Sequence, residues 1–270
     1  MEKKFELTGE SRMGRLGVTV HQIRATEDIP RRGIRKGDLG GWVESADLPN
    51  GNARVSGDAW VSGNAEVSGN AWVSGDAWVS GDARVSGNAW VYGDAWVSGD
   101  ARVSGNARVS GNARVSGNAW VSGNARVSGD ARVSGDARVS GNAWVSGNAR
   151  VSGNARVSGN ARVYGDARVS GDAEVSGNAD LEKHWHYLVV GPIGSEGVTA
   201  TFVRTKNGKH RLNVGCWDGT LGTLMAEVKR RRAGWVADED TQELWVLQYK
   251  GLRDLGKATV KRWKKAKSDD

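Results

Sequence analysis

Apolar positions in the middle of this chain follow a six-residue period. From Gly51 to Ser176 the phrase Gly-(Asn/Asp)-Ala-(Arg/Trp/Glu)-Val-(Ser/Tyr) repeats twenty-one times without an insertion. Ala and Val stand two apart, so in extended backbone both point to one side and the residue between them to the other. That intervening column carries Arg at twelve positions, and an unpaired buried guanidinium costs roughly 3–5 kcal/mol. Ala and Val therefore face inward, and Arg and Trp face solvent. Gly followed by Asn or Asp supplies a sharp corner, both residues being read as tolerant of positive φ. A unit this small gains a core only by stacking on its neighbours. The pattern predicts a parallel β-solenoid rather than the disordered Gly-rich tract that composition alone suggests.

A second period fixes the coil. In steps of eighteen, one set of corners reads Asn52, Asn70, Asn88, Asn106, Asn124, Asn142, Asn160 and Asn178, whereas Asp fills nine of the other fourteen corners. Tyr92 and Tyr164 also lie a multiple of eighteen apart. Three hexads thus close one triangular coil. Stacked amides can hydrogen-bond along an edge, where stacked carboxylates repel. Seven coils at about 4.8 Å each make a rod roughly 34 Å long.

With Val55 and Ala59, or Val61 and Ala65, the tract resembles the left-handed parallel β-helix, whose hexapeptide motif sets an aliphatic residue four before a small one. The left hand is implied by that resemblance, since spacing gives three faces and no hand. Ser56 and its equivalents depart slightly from the usual second position. The expected fold is a β class solenoid of 18-residue coils with a small α+β C-terminal domain. The domains are a cap over 1–50, a rod over 51–182, and an α+β unit with a basic tail over 183–270.

The ends read differently from the middle. Lys3–Thr8 and Gly17–Ala25 suggest short strands, and Val43 is already in register with Val55 before Leu48-Pro49-Asn50 breaks the hexad. A cap of this kind covers an otherwise open strand edge. After Asp180, strands are expected over His184–Pro192, Val198–Thr205 and His210–Gly215, with a hairpin signal at Asn207-Gly208. Thr220 is placed to cap a helix over Leu221–Arg232, and Thr241–Tyr249 and Lys257–Lys265 read as two further helical segments. Leu39-Gly40-Gly41-Trp42-Val43-Glu44 ahead of the hexads, with Gly191-Pro192-Ile193-Gly194-Ser195 and Gly215-Cys216-Trp217-Asp218-Gly219-Thr220 behind them, is similar to hexapeptide-repeat proteins of bacteriophages and prophages. That resemblance implies source and architecture, with a cytoplasmic location in a host cell.

The net charge of +7 is concentrated at the C-terminal end, where residues 177–270 hold seventeen basic and twelve acidic side chains against twelve and eleven in the repeats. The single cysteine, Cys216, excludes an intrachain disulfide and is read as a buried thiol. No long apolar run suggests a membrane span.

Many left-handed β-helix proteins are acyltransferases that resemble one another in using a catalytic His beside the coils. No His occurs between Gly51 and Gly177. The chain is therefore expected to be non-catalytic and to need no cofactor or metal. A cryptic acyltransferase would have to use His184, His186 or His210. His184 and His186 lack the accompanying ligands of a metal site.

Binding is the preferred use. Arg84, Arg102, Arg108, Arg114, Arg126, Arg132, Arg138, Arg150, Arg156 and Arg168, with Trp120 and Trp144, are candidates for a ligand site. Guanidinium and indole together suit a nucleotide-like anion, which a phage accessory protein would sequester. Trp60, Trp72, Trp78, Trp90 and Trp96 are candidates for an oligomer interface, with a trimer favoured. A structural or protein-interaction rod is the alternative. The basic runs Lys229–Arg232 and Lys261–Lys265 offer a weaker case for nucleic acid.

Overall fold

The computed structural model describes residues 4–13, 17–30, 33–45 and 52–266. The hexads form a parallel β-solenoid of about seven turns. Each contributes a two-residue strand made of its outward residue and its Val, from Arg54–Val55 to Glu174–Val175. Up to Arg162–Val163 each of these strands pairs in parallel with the one eighteen residues on, as in Trp60 with Trp78, Arg102 with Trp120 and Arg126 with Trp144. Flanking each paired strand, Trp60 donates its amide to the Ala77 carbonyl at 2.9 Å, and Ser62 to Val79 at 3.0 Å. Inside, Ala119, Val121, Ala125, Val127 and their equivalents are wholly buried. Each such Val is worth about 1.5–3 kcal/mol.

At the corners, positive φ falls on glycine alone, for example Gly105 at 67°, and on no other residue type among those described. The Asn and Asp that follow therefore do not share the left-handed conformation expected of them. Glycine is required twice over, because a Cβ on Gly105 would also stand 3.0 Å from the backbone of Gly123 in the next coil. The asparagines stack instead. Asn88 donates to Asn106, Asn106 to Asn124 and Asn124 to Asn142, each at 3.1 Å. This edge also carries a backbone ladder, with Asn88 donating its amide to Gly105 and Asn106 to Gly123 at 2.8 Å. On the other two edges an Asn repeatedly lies one coil before an Asp and donates to it, as in Asn118 to Asp136 at 2.9 Å.

The N-terminal segment extends one face of the rod. Strands Phe5–Met13 and Thr19–Ala25 form a hairpin, and Leu39–Val43 joins it antiparallel before pairing in parallel with Trp60–Val61. The first strand is longer than the expected Lys3–Thr8, of which Lys3 lies outside the described residues, as does the break at Leu48-Pro49-Asn50. Ile23, Phe5 and Leu7 close the end of the rod core.

At the other end a four-stranded antiparallel sheet (Tyr187–Ile193, Val198–Arg204, His210–Val214 and Trp217–Gly219) lies across the last coil. Ala179 bridges Thr205, Lys206 donates its amide to Asn178, and Glu174 donates its amide to Thr201 Oγ1 at 3.0 Å. Alternation along the strand divides its two faces. Val203 joins the rod core, while Phe202, Leu212 and Val214 turn toward two helices. Helix α1 spans Leu221–Arg232, as expected from its cap, and the Thr220 amide donates to Thr223 Oγ1 at 3.0 Å. Helix α2 is one continuous element, Glu239–Ala266, where two segments were expected. Its Gly256 lies against Leu221 of α1, where a Cβ would come within 2.6 Å of that side chain. The glycine allows close helix packing and does not break the helix.

Candidate functional site

Stacking puts the outward residues into three columns, and these are the chemically distinctive surface of the molecule. The first face reads Trp42, Trp60, Trp78, Trp96, Arg114, Arg132, Arg150 and Arg168. The second reads Arg54, Trp72, Trp90, Arg108, Arg126, Trp144 and Arg162, and the third Glu66, Arg84, Arg102, Trp120, Arg138, Arg156 and Glu174.

On the first face the indoles pack on one another. Trp78 and Trp96 stack with ring centroids 4.9 Å apart and planes within 6°, and Trp60 meets Trp78 edge-on at 6.1 Å. Trp78 is consequently only 7 % exposed within the single chain. Its Nε1 donates to Ser62 Oγ of the preceding coil at 3.4 Å, and Trp72 donates likewise to Ser56 at 2.9 Å. The sixth residue of the hexad, which departs from the usual motif, thus serves the indoles one coil on. Trp96 Nε1 is buried without a partner.

Arg114 covers Trp96 at 5.4 Å at the junction of the two halves of the first face, and on the other faces each indole likewise lies under a guanidinium of its own column. Arg54 covers Trp72 at 4.8 Å, Arg108 covers Trp90 at 5.0 Å, Arg138 covers Trp120 at 5.9 Å and Arg162 covers Trp144 at 5.7 Å. Trp90, Trp120 and Trp144 keep about two-fifths of their surface exposed. The arginines stand in solvent, and among the described residues the rod pairs only Arg84 with Glu66 and Arg156 with Glu174 from its own columns. The candidate ligand residues Arg102, Arg114, Arg126, Arg132, Arg150 and Arg168 carry no ion pair there. They are spread over three faces and do not converge on one pocket.

Arg12, which the sequence reading passed over, is brought onto this surface by the N-terminal hairpin. Its guanidinium lies 4.0 Å from the Trp42 ring and 4.6 Å from the Trp60 ring, and it donates to Asp58 at 2.9 Å. A cavity of about 340 Å³ opens beside it, lined by Arg12, Asp58, Trp60, Asp76 and Trp78. The Ala-X-Val register marks only repeat residues, so nothing in the hexads signals a side chain arriving from outside.

The C-terminal candidates have structural partners. His186 is buried and accepts at Nδ1 from the Glu182 and Lys183 amides, while His184 is exposed beside Trp185. Burial, with Arg204 and Lys183 nearby, holds the His186 imidazole down to about 4. His210 accepts from the Leu221 amide at the start of α1, and burial lowers its proton affinity. Cys216 is exposed, contrary to the expected buried thiol, because it sits in the turn before Trp217 with Arg231 3.4 Å from its Sγ. In the Lys229–Arg232 run, Arg230 and Arg231 are both held by Glu227, whose carboxyl they bring down to about 2. No group of three or more His, Cys, Asp or Glu among the described residues is arranged to hold a metal, and no helix there is long and apolar enough to cross a membrane.

Two family models match the rod. Residues 86–184 match the family described as Bactofilin, polymer-forming cytoskeletal, and residues 77–93 match the YdcK beta solenoid repeat. No curated protein matches the chain. The longer match covers less than half of the chain and lies within the coils and their junction with the C-terminal sheet, so the likeness is one of the β-solenoid.

Proposed function

We propose that this chain is a non-catalytic structural rod that assembles with copies of itself through its sides. The observation that carries this reading is the contrast between the covered ends and the bare faces. The hairpin plugs the first coil with Ile23, Phe5 and Leu7, and the C-terminal sheet plugs the last with Val203, Tyr187 and Val189. Growth by adding coil to coil is hindered at both ends, while Arg and Trp columns remain open along the rod. The likeness to a polymer-forming family supports self-association. Sequestration of a nucleotide-like anion would use the same side chains, but these are spread over three faces and do not converge on one pocket. The phage or prophage source and a host cytoplasmic location stay with the resemblance of the two ends. Sedimentation velocity of the full chain over a wide concentration range tests the reading: assemblies larger than one chain are expected, and a monomer at all concentrations would overturn it.

A further inference from the structure

Charge is distributed unevenly along the rod. Residues 51–105 contain three arginines and six carboxylates, whereas residues 106–176 contain nine arginines and five carboxylates. The first face shows the same polarity in its outward column, with four indoles and then four guanidiniums. Like charges stacked on adjacent strands repel, and Arg132, Arg150 and Arg168 make no ion pair or ring contact with the described residues of their own chain, with Asp130, Asp136, Asp166 and Asp172 at the neighbouring corners.

We infer that the first face is an isologous interface with a second copy of this chain, packed antiparallel about a two-fold axis between the Trp96 and Arg114 rungs. This rests on the self-assembling reading above and names its geometry. A two-fold placed there brings Trp96 opposite the second copy's Arg114 rung, Trp78 opposite Arg132, Trp60 opposite Arg150 and Trp42 opposite Arg168, so every rung meets its chemical complement. The corners flanking the indole half include Asp58, Asp76, Asp82, Asp94 and Asp100, which supply counter-charges to the incoming arginines. Arg12 shows the contact within one chain, since it lies over Trp42 and Trp60 while bonded to Asp58. The adjoining cavity, with Asp76 between Trp60 and Trp78, has the lining a second guanidinium requires.

The other faces do not offer this. The third face is a palindrome of charge, Glu66 to Glu174 about Trp120, so a centred antiparallel copy sets Arg on Arg. On the second face an antiparallel copy centred on Arg108 sets Arg54 against Arg162 and Trp72 against Trp144, like on like. Parallel pairing through the first face would place the arginine halves against each other.

Pulsed electron spin resonance on the full chain tests the pairing, with nitroxides at Asn112→Cys or Asp166→Cys in a Cys216→Ser background. Both positions are exposed corners beside the first face. In the antiparallel pair the two 112 labels are offset along the rod by about 5 Å and the two 166 labels by about 34 Å, given a rise of about 4.8 Å per coil. A much longer 166–166 than 112–112 distance is expected. Equal distances in an assembled sample would overturn the antiparallel pairing and leave the structural reading standing. A sample monomeric by sedimentation, with no intermolecular distance, would overturn both. Unchanged melting of the labelled chains confirms that they are folded.

Discussion

The two halves of the first face share a backbone, a core and a register, and differ in what they show to solvent. Around Trp78 the inward residues are Ala77 and Val79, and around Arg132 they are Ala131 and Val133, all completely buried. Outside, Trp78 is packed between two other indoles while Arg132 is exposed. The comparison shows that this solenoid separates folding from recognition at the level of single positions. Ala, Val and Gly build the coil, and the residue between Ala and Val is free to carry interaction chemistry.

The core should therefore respond equally in both halves. Val79→Asp and Val115→Asp each bury an unpaired carboxylate, and each is expected to cost more than about 4 kcal/mol and to melt the rod at room temperature. Circular dichroism on heating checks this, and a tolerated substitution in one half alone would break the equivalence. The outward column should respond unequally. Trp78→Ala is expected to destabilise the single chain by about 3 kcal/mol, because it removes a side chain stacked on both sides. Arg132→Ala should change stability by no more than about 0.5 kcal/mol. Denaturant titrations at low protein concentration, where assembly does not contribute, measure both.

Acid sharpens the contrast between the two ends. Among the cap residues it is His186 whose proton affinity is strongly depressed, with an ordinary value of 6.5 brought down to about 4 by burial and by Arg204 and Lys183. Above 6.5 the imidazole is neutral in both states and contributes no pH dependence. Below it the unfolded chain takes up the proton and the folded cap does not, so stability falls until the folded imidazole titrates as well. Between pH 7 and 4.5 the C-terminal cap should lose about 2–3 kcal/mol. Amide exchange read strand by strand should show Val198–Arg204 loosening before the N-terminal hairpin, and His186→Gln should remove much of the difference.

Much of the rod was legible because its signals repeat. An inward Val every sixth residue and a corner Asn every eighteenth give the coil, the three faces and the amide edge without further information. The corner conformation was misassigned to Asn and Asp because glycine alone takes positive φ, with the coil spacing adding a second demand on it. The two helical segments expected over Thr241–Tyr249 and Lys257–Lys265 are one helix, because Gly256 between them serves contact with Leu221. The outward columns follow from the eighteen-residue period, yet it shows their site character only in part. Arg12 reaches Trp42 and Trp60 through the fold of a hairpin outside the repeat, and no periodicity marks it. The polarity of charge along the rod was present in the sequence, but a single total for the repeat tract averages it away.

The central claim is that outward residues of the first face, and not the core, make this rod associate. The most direct test is sedimentation of the full chain beside Arg132→Glu/Arg150→Glu, with Arg102→Glu/Arg138→Glu on the third face as the matched control, at low salt and again in high salt. All three proteins should melt alike. The wild type and the control should sediment as assemblies that weaken as salt rises, and the first-face variant as a single chain. An assembled first-face variant, or a control that dissociates equally, would contradict the account.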